Sequence, residues 1–212
     1  MSEHRYGTIH AVKYETGIEP GDLIIEVPEE SDASTDEEKL DFLIEELLDD
    51  ATSFIDRFCN RDFAHHENDA VQIDGNGRNT LRLPRQWPII EIHSIEIGGS
   101  EIPEDSYRVK PGRDLAEWNS GLIERRNSYW PQGWENIEIV LDWGFEEPPL
   151  EIDDIAEGLA AGAILDFLHN QNADGVASIS MDGYSVSFNE GGERLDDDRE
   201  RILNEFKPIN MG

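Results

Sequence analysis

Between Thr35 and Phe58 the chain sets apolar side chains at Leu40, Leu43, Ile44, Leu47, Leu48, Ala51, Phe54, Ile55 and Phe58. Steps of three and four residues keep them on one side of an α-helix for about six turns, giving one wide apolar face. Glu45, Glu46, Asp49, Asp50 and Asp56 take the opposite side. Thr35 and Glu38 have the spacing of a capping box, and Asp36 and Glu37 suit the positive end of a helix dipole. The pattern predicts a helix over residues 35–60.

A second helix is expected at residues 150–169. Ile137, Ile139 and Leu141 alternate with Glu138, Val140 and Asp142 in a strand with one buried face. Gly144 permits a bend, and Pro148 and Pro149 stop the strand at a place where a helix start tolerates proline. Ile152, Ile155, Leu159, Ala163, Ile164, Phe167 and Leu168 then form an apolar stripe. Gly158 and Gly162 lie one turn apart among Ala156, Ala160, Ala161 and Ala163, a surface another backbone can approach closely. That backbone is either a neighbouring subunit or the chain's own first helix.

Residues 70–143 read as strand and turn. "AVQIDGNGRNTLRLP" suggests a hairpin about Asp74–Gly77. Ile90, Ile92, Ile95 and Ile97 change parity, which predicts a bulge near His93–Ser94. Gly98–Gly99 turns the chain, "YRVKP" and "GLIERR" give two shorter strands, and "ENIEIVLDW" closes a small antiparallel sheet. Residues 1–34 read as an extended arm with strand candidates "GTIHAVKY" and "DLIIEVP". Residues 171–212 hold a hairpin about Asp182–Gly183, a short helix in "LDDDRERILNEF" and a tail. The fold class expected is α+β: two main helices and a short third one, with the sheet inserted between the first two.

The chain has 212 residues and a formal net charge of −31, spread along nearly its whole length. Such acidity repels DNA phosphate and anionic membranes, which argues against specific nucleic-acid binding and membrane association. Only Lys13, Lys39, Lys110 and Lys207 are lysines among 17 basic residues. Low lysine with abundant Asp and Glu is the surface composition of a protein working in concentrated salt, where screening relieves self-repulsion. The alternative is an acidic protein of an ordinary host. Cys59 is the sole cysteine, so no internal disulfide forms. Arg5, His10 and Lys13 interrupt the first segment before any signal-like apolar run, and an intracellularly made protein is expected.

Candidates for chemistry are weak. His65–His66–Glu67–Asn68–Asp69 contains metal-capable side chains, but no second cluster has zinc-ligand spacing. "DGNGRN" lacks the alternating oxygen ligands and distal glutamate of a calcium loop. No nucleophile elbow surrounds a serine, no phosphate-cradling loop leads into a helix, and the carboxylates are too numerous to single out an acid–base pair. Neither an enzyme nor a cofactor or metal site is expected. Trp87, Trp118, Trp130, Trp134 and Trp143 suit core and interface anchors, or a sugar-stacking surface.

The order of these elements resembles the head–tail connector (adaptor, or head-completion) proteins of long-tailed double-stranded DNA viruses and related gene-transfer particles. The family's R-x-F-like phrase after the first helix is matched by Arg61–Asp62–Phe63. Its strand opening on proline is matched by Pro88 to Ile92. Its strand-to-helix junction is matched by Val140 to Ala156, with Trp143 in the usual aromatic place. The resemblance spans roughly residues 40–168, and residues 35–170 would then be the connector domain.

The resemblance implies a homo-oligomeric ring, typically a dodecamer, seated on the portal protein in the virion neck. The ring would extend the DNA channel, pass the genome without specific binding, and dock neck or tail-completion proteins. With the acidic surface, it implies a virus of a halophilic archaeal host. Subunit-interface candidates are Gly158, Ala161, Gly162, Trp143 and Trp134. Portal-binding candidates are Tyr184, Val186, Phe188, Ile209 and Met211, although the last residues also read as a frayed terminus. The rival function is a carbohydrate- or receptor-binding β-module of a virion.

Overall fold

The computed structural model describes residues 5–28, 31–111, 119–174, 178–180 and 197–207. In chain order its elements are α1 (Ile9–Thr16), β1 (Ile24–Glu26), α2 (Asp36–Cys59), β2 (His66–Gly75), β3 (Thr80–Arg82), β4 (Ile89–Ile97), β5 (Ser100–Glu101), β6 (Tyr107–Pro111), β7 (Asn119–Arg125), β8 (Gly133–Trp143), α3 (Leu150–Asp174), β9 (Ser178–Ser180) and α4 (Asp197–Glu205). The fold is α+β, with the antiparallel sheets inserted between the two long helices. Two units separate: a helical one from Met1–Arg61 and Pro148–Lys207, and a β one made chiefly of Asp62–Glu147.

In the helical unit, α2 begins where its capping box predicts. The Thr35 hydroxyl accepts from Glu38 N–H at 3.2 Å, and the Glu38 carboxylate accepts from Thr35 and Ser34 N–H at 2.9 and 2.8 Å. Asn60, in the left-handed region at φ 52°, ends the helix. Leu40, Leu43, Ile44, Leu47 and Leu48 are buried against Ala160, Ala161, Ala163 and Ile164 of α3 and Val12 of α1. Truncating one such leucine to alanine costs about 2–5 kcal/mol, because lost transfer energy adds to a cavity.

Residues 7–14, expected as a strand, form most of α1. The Thr8 hydroxyl caps the Ala11 N–H, and Gly17 at φ 65° closes the helix by donating its N–H to Lys13 O. Ile9 and Val12, one turn apart, face the helical core, so tertiary packing outweighs the β-preference of a short segment. β1 forms as expected and pairs in parallel with β9. The hairpin expected about Asp182–Gly183 lies outside the described residues.

The β unit holds two sheets around one apolar core, in the orders β2-β8-β4-β5 and β3-β7-β6. β8 therefore does not close a sheet. It is a central strand with both edges paired, and Ile137, Ile139 and Leu141 on its inner face are fully buried. The turn at Asp74–Gly77 is present but does not make a hairpin, since β2 pairs with β8 and β3 with β7. The Asn76 side chain builds the turn, its Oδ1 accepting the Arg78 N–H and its amide N–H donating to Thr80 O. The end of β2 is held elsewhere, with Gly75 N–H on the Asn136 side chain at 2.8 Å. The bulge expected in β4 appears between Ile92 and Ser94. Gly98 and Gly99, both at positive φ, turn β4 into β5.

Candidate assembly interface

The α3 surface is built from the junction upward. Pro149 O receives the Ile152 N–H at 2.8 Å, which starts the helix directly after the double proline. Acidic residues of its first two turns then grip the N-terminal segment. Gly7 N–H donates to Asp153 Oδ1 at 2.9 Å, and Thr8 N–H to Glu157 Oε1 at 2.8 Å. Gly7 has φ +78°, and a Cβ there would meet Glu157 Cγ at 2.6 Å, so this close approach requires glycine. Burial pushes the Glu157 carboxyl above its ordinary range, the Thr8 bonds oppose this, and Asp153 and Asp154 add to it. The same segment lies along α2: Tyr6 is fully buried, with its N–H on Thr52 Oγ1 and its hydroxyl donating to Asp56 at 2.6 Å. Arg5 pairs with Asp49 and Glu45.

Against this frame the interface candidates fall in different places. Ala161 is 1% exposed and packs in the helical core. Gly158 is buried beneath the Arg199 guanidinium of α4, 2.2 Å from where a Cβ would stand. Gly162 has nothing within 4 Å of that position. Trp143 is 5% exposed; His66 stacks on it at 4.0 Å and its indole N–H donates to Asp69 at 2.8 Å. Trp134, at 81%, is the opposite case, and Tyr129 nearby in sequence is 70% exposed. Between them Trp130 is fully buried, with its indole N–H on Ile123 O and the Arg125 guanidinium 5.3 Å from its ring. The portal-binding candidates Tyr184, Val186, Phe188, Ile209 and Met211 lie outside the described residues.

Sequence reading missed one constellation. Glu91, His93 and Asp142 bring ligand-type atoms within 4.8 Å of one another, the one such group among the described residues. β-pairing sets Glu91 opposite Asp142, a juxtaposition that residue spacing alone does not reveal. Two of the three are bonded to each other. His93 Nε2 lies 2.7 Å from Asp142 Oδ1, which also accepts the Asn68 N–H at 2.7 Å. Those bonds, Asn68 first, hold the Asp142 carboxyl below its ordinary range, and the bond to Asp142 raises His93. The arrangement pins β2, β8 and β4 together.

Another feature emerges from the fold. In β3-β7-β6, Leu81, Ile123 and Val109 share the inner face. Arg82, Arg108, Lys110 and Glu124 share the outer one, where Glu124 accepts from Arg108 Nε at 2.7 Å and lies 3.6 Å from Lys110. Residues 76–88 and 107–132, which make up this sheet and its connections, hold eight of the chain's 17 basic residues but three of its 48 acidic ones.

Two long helices share an alanine-rich contact, and the chain that links them in sequence forms a unit of antiparallel sheets, which defines an α+β protein. Residues 30–209 match the family described as "Head completion protein", and the chain belongs to that family. The chain also shows a likeness to two solved structures. One is a chain in the neck of an empty GTA particle computed with C6 symmetry, at 14% identity and a TM-score of 0.46, covering 81% of this chain and 80% of that one. The other is in the neck of a native GTA particle computed with C12 symmetry, at 13% identity and a TM-score of 0.45, covering 81% and 85%. No curated protein matches the sequence. Among the described residues no helix is long and apolar enough to cross a membrane.

Proposed function

We propose that this head completion protein is a head–tail connector that assembles as a closed ring, a dodecamer in the form the family resemblance implies. In this reading it is made in the host cytoplasm and takes its place in the virion neck on the portal protein. It extends the DNA channel and offers the docking surface for neck or tail-completion proteins. The observation that carries the reading is the family match across residues 30–209. A ring repeats one heterologous contact until it closes, and the exposed Trp134 and open Gly162 are surfaces such a contact would cover. The portal contact is assigned to Tyr184, Val186, Phe188, Ile209 and Met211.

The net charge of −31 supports two parts of the proposal. A carboxylate-rich lumen repels phosphate, so the genome passes without adhering. Assembly of such protomers requires screening, which fits a salt-loving, archaeal host. The test is particle mass by mass photometry and sedimentation velocity in 0.1 and 2 M KCl, with and without portal. A ring in high salt, or a monomer converted to a ring by portal, is expected. A chain that stays monomeric throughout refutes the connector reading, and a ring of the same mass at both salt concentrations refutes the need for screening.

A further inference from the structure

The charge of this protein is segregated. Residues 76–88 and 107–132, the β3-β7-β6 sheet with its connections, carry a formal +5 (eight basic, three acidic) in a chain of −31. The remaining residues must then carry −36. The asymmetry also has a structural side. Alternation along β3 and β6 directs Arg82 and Arg108 to the outer face, with Lys110 beside them on Glu124. Arg78 and Arg126, on the flanking connections, are exposed, and so is Arg108. Glu124 is the sole carboxylate on the described strands of this sheet, and Arg108 and Lys110 already share it, which holds it below its ordinary range. The face thus carries an excess of cationic donors over local carboxylates.

The complementary surface is on the same chain. The outer side of α2 presents Glu45, Glu46, Asp49 and Asp50 within two turns, and the cation placed among them by the described ion pairs is Arg5, on Glu45 and Asp49. Burial first, and then the nearby Asp49 and Asp50, raise the Glu46 carboxyl, while Arg5 opposes them.

We infer that the basic outer face of β3-β7-β6 docks on the acidic side of α2 in a second copy of the chain, forming the repeating contact of the ring. This deepens the proposed function and rests on it. The contact is heterologous, joining two different surfaces, which is the geometry that closes rings. It takes up the segments that hold eight of the chain's 17 basic residues and leaves a carboxylate-rich remainder for the lumen. It also reconciles attraction with a need for salt. At about 1 M the Debye length is roughly 3 Å, so repulsion between whole protomers is screened, whereas guanidinium–carboxylate pairs in van der Waals contact and shielded from solvent are screened much less.

The experiment is charge reversal in the full chain. Arg82→Glu with Arg126→Glu should lower the assembled fraction on the order of a hundredfold, because like charges face each other across the contact. Its circular dichroism should show a folded chain, and Arg78→Glu with Arg126→Glu, at two exposed positions, should lower assembly in the same way with melting unchanged. Glu46→Lys with Asp50→Lys should fail in the same way. Mixing it with either arginine variant should restore rings, since each reversed face then meets its reversed complement. Assembly of either arginine variant at wild-type level overturns this assignment and leaves the ring reading intact. So does an arginine variant that forms rings but loses retention of a double-stranded DNA fragment, which would make phosphate the occupant of the face. Failure of the mixture to rescue two folded, non-assembling variants also overturns the pairing. A wild-type chain that never assembles refutes the ring reading itself, a separate outcome.

Discussion

Gly144→Ala is expected to be among the most damaging single-methyl changes in the β unit. Gly144 follows the buried Trp143, has φ +97° and donates its N–H to Pro88 O at 2.9 Å. A Cβ there would stand 1.9 Å from Ala64 O and 2.9 Å from Ala64 C. Carbon and oxygen in contact need roughly 3.5 Å, so one backbone must retreat by about 1.5 Å. A left-handed alanine costs about 1–2 kcal/mol, forced repacking about 1–3, and a lost backbone hydrogen bond about 1. Together these predict a loss of about 4 kcal/mol. Gly98→Ala is the control, at φ +58° in the same unit with nothing within 4 Å, and should cost only the backbone term of about 1–2 kcal/mol. Urea unfolding followed by tryptophan fluorescence and near-ultraviolet dichroism measures both, and Trp143, stacked on His66, should also lose near-ultraviolet signal in the Gly144 variant. If the two variants unfold within about 0.5 kcal/mol of each other, the close approach to Ala64 is not present in the folded protein.

Two further outcomes follow from local chemistry. Thr35→Ala removes half the capping box of α2 and should cost about 1 kcal/mol. In the wild type, hydrogen bonds led by the Ser34 and Thr35 N–H groups hold Glu38 down to about 2. A depressed carboxylate stabilises the fold above its unfolded value near 4.5 and loses that contribution as pH falls towards 2. Thermal melts from pH 5 to pH 2 should therefore show a smaller acid-induced loss in Glu38→Gln than in the wild type, and equal slopes would contradict this. Burial pushes the Cys59 thiol up to about 12, with its Sγ 3.6 Å from Leu203 O under α4. A disulfide reagent at pH 8 should leave it unlabelled until the protein unfolds, and fast stoichiometric labelling of the native chain would show that α4 does not cover it.

The long helices were legible because their signals are local and redundant. Apolar period, capping box and acidic first turn all agree for α2, and the alternation of Ile137, Ile139 and Leu141 marks β8 as a strand with one buried face. What the sequence hid is mostly partnership. Nothing in residues 74–77 says that the strands on either side join different sheets, because pairing is decided by Pro131, Asn136 and Ile123 more than 40 residues away. Residues 7–14 read as a short strand until Ile9 and Val12 find a helical core to face. The Glu91–His93–Asp142 group and the basic outer face of β3-β7-β6 are products of strand register. Each is assembled from segments too far apart for spacing to reveal.

The abrupt passage from β8 into a helix of small residues has a local explanation within one protomer. Ala160, Ala161 and Ala163 are at most 1% exposed and let α2 and α1 lie close along α3, while Gly158 accommodates Arg199 of α4. The same helix takes the N-terminal segment on Asp153 and Glu157. With most of its small residues turned to neighbours within the chain, the described side chains of α3 offer outward Gly162, Leu165 and, at the helix start, Leu150, a scattered apolar contact too small for a stable interface alone. Protomers of −31 must overcome their mutual repulsion as well. A contact that does so has to bring opposite charges together, and the described surface concentrates cations on one sheet. Assembly of this protein is therefore expected to respond more strongly to reversing Arg82 and Arg126 than to enlarging Gly162, where a Gly162→Ala variant should keep both its fold and its particle mass.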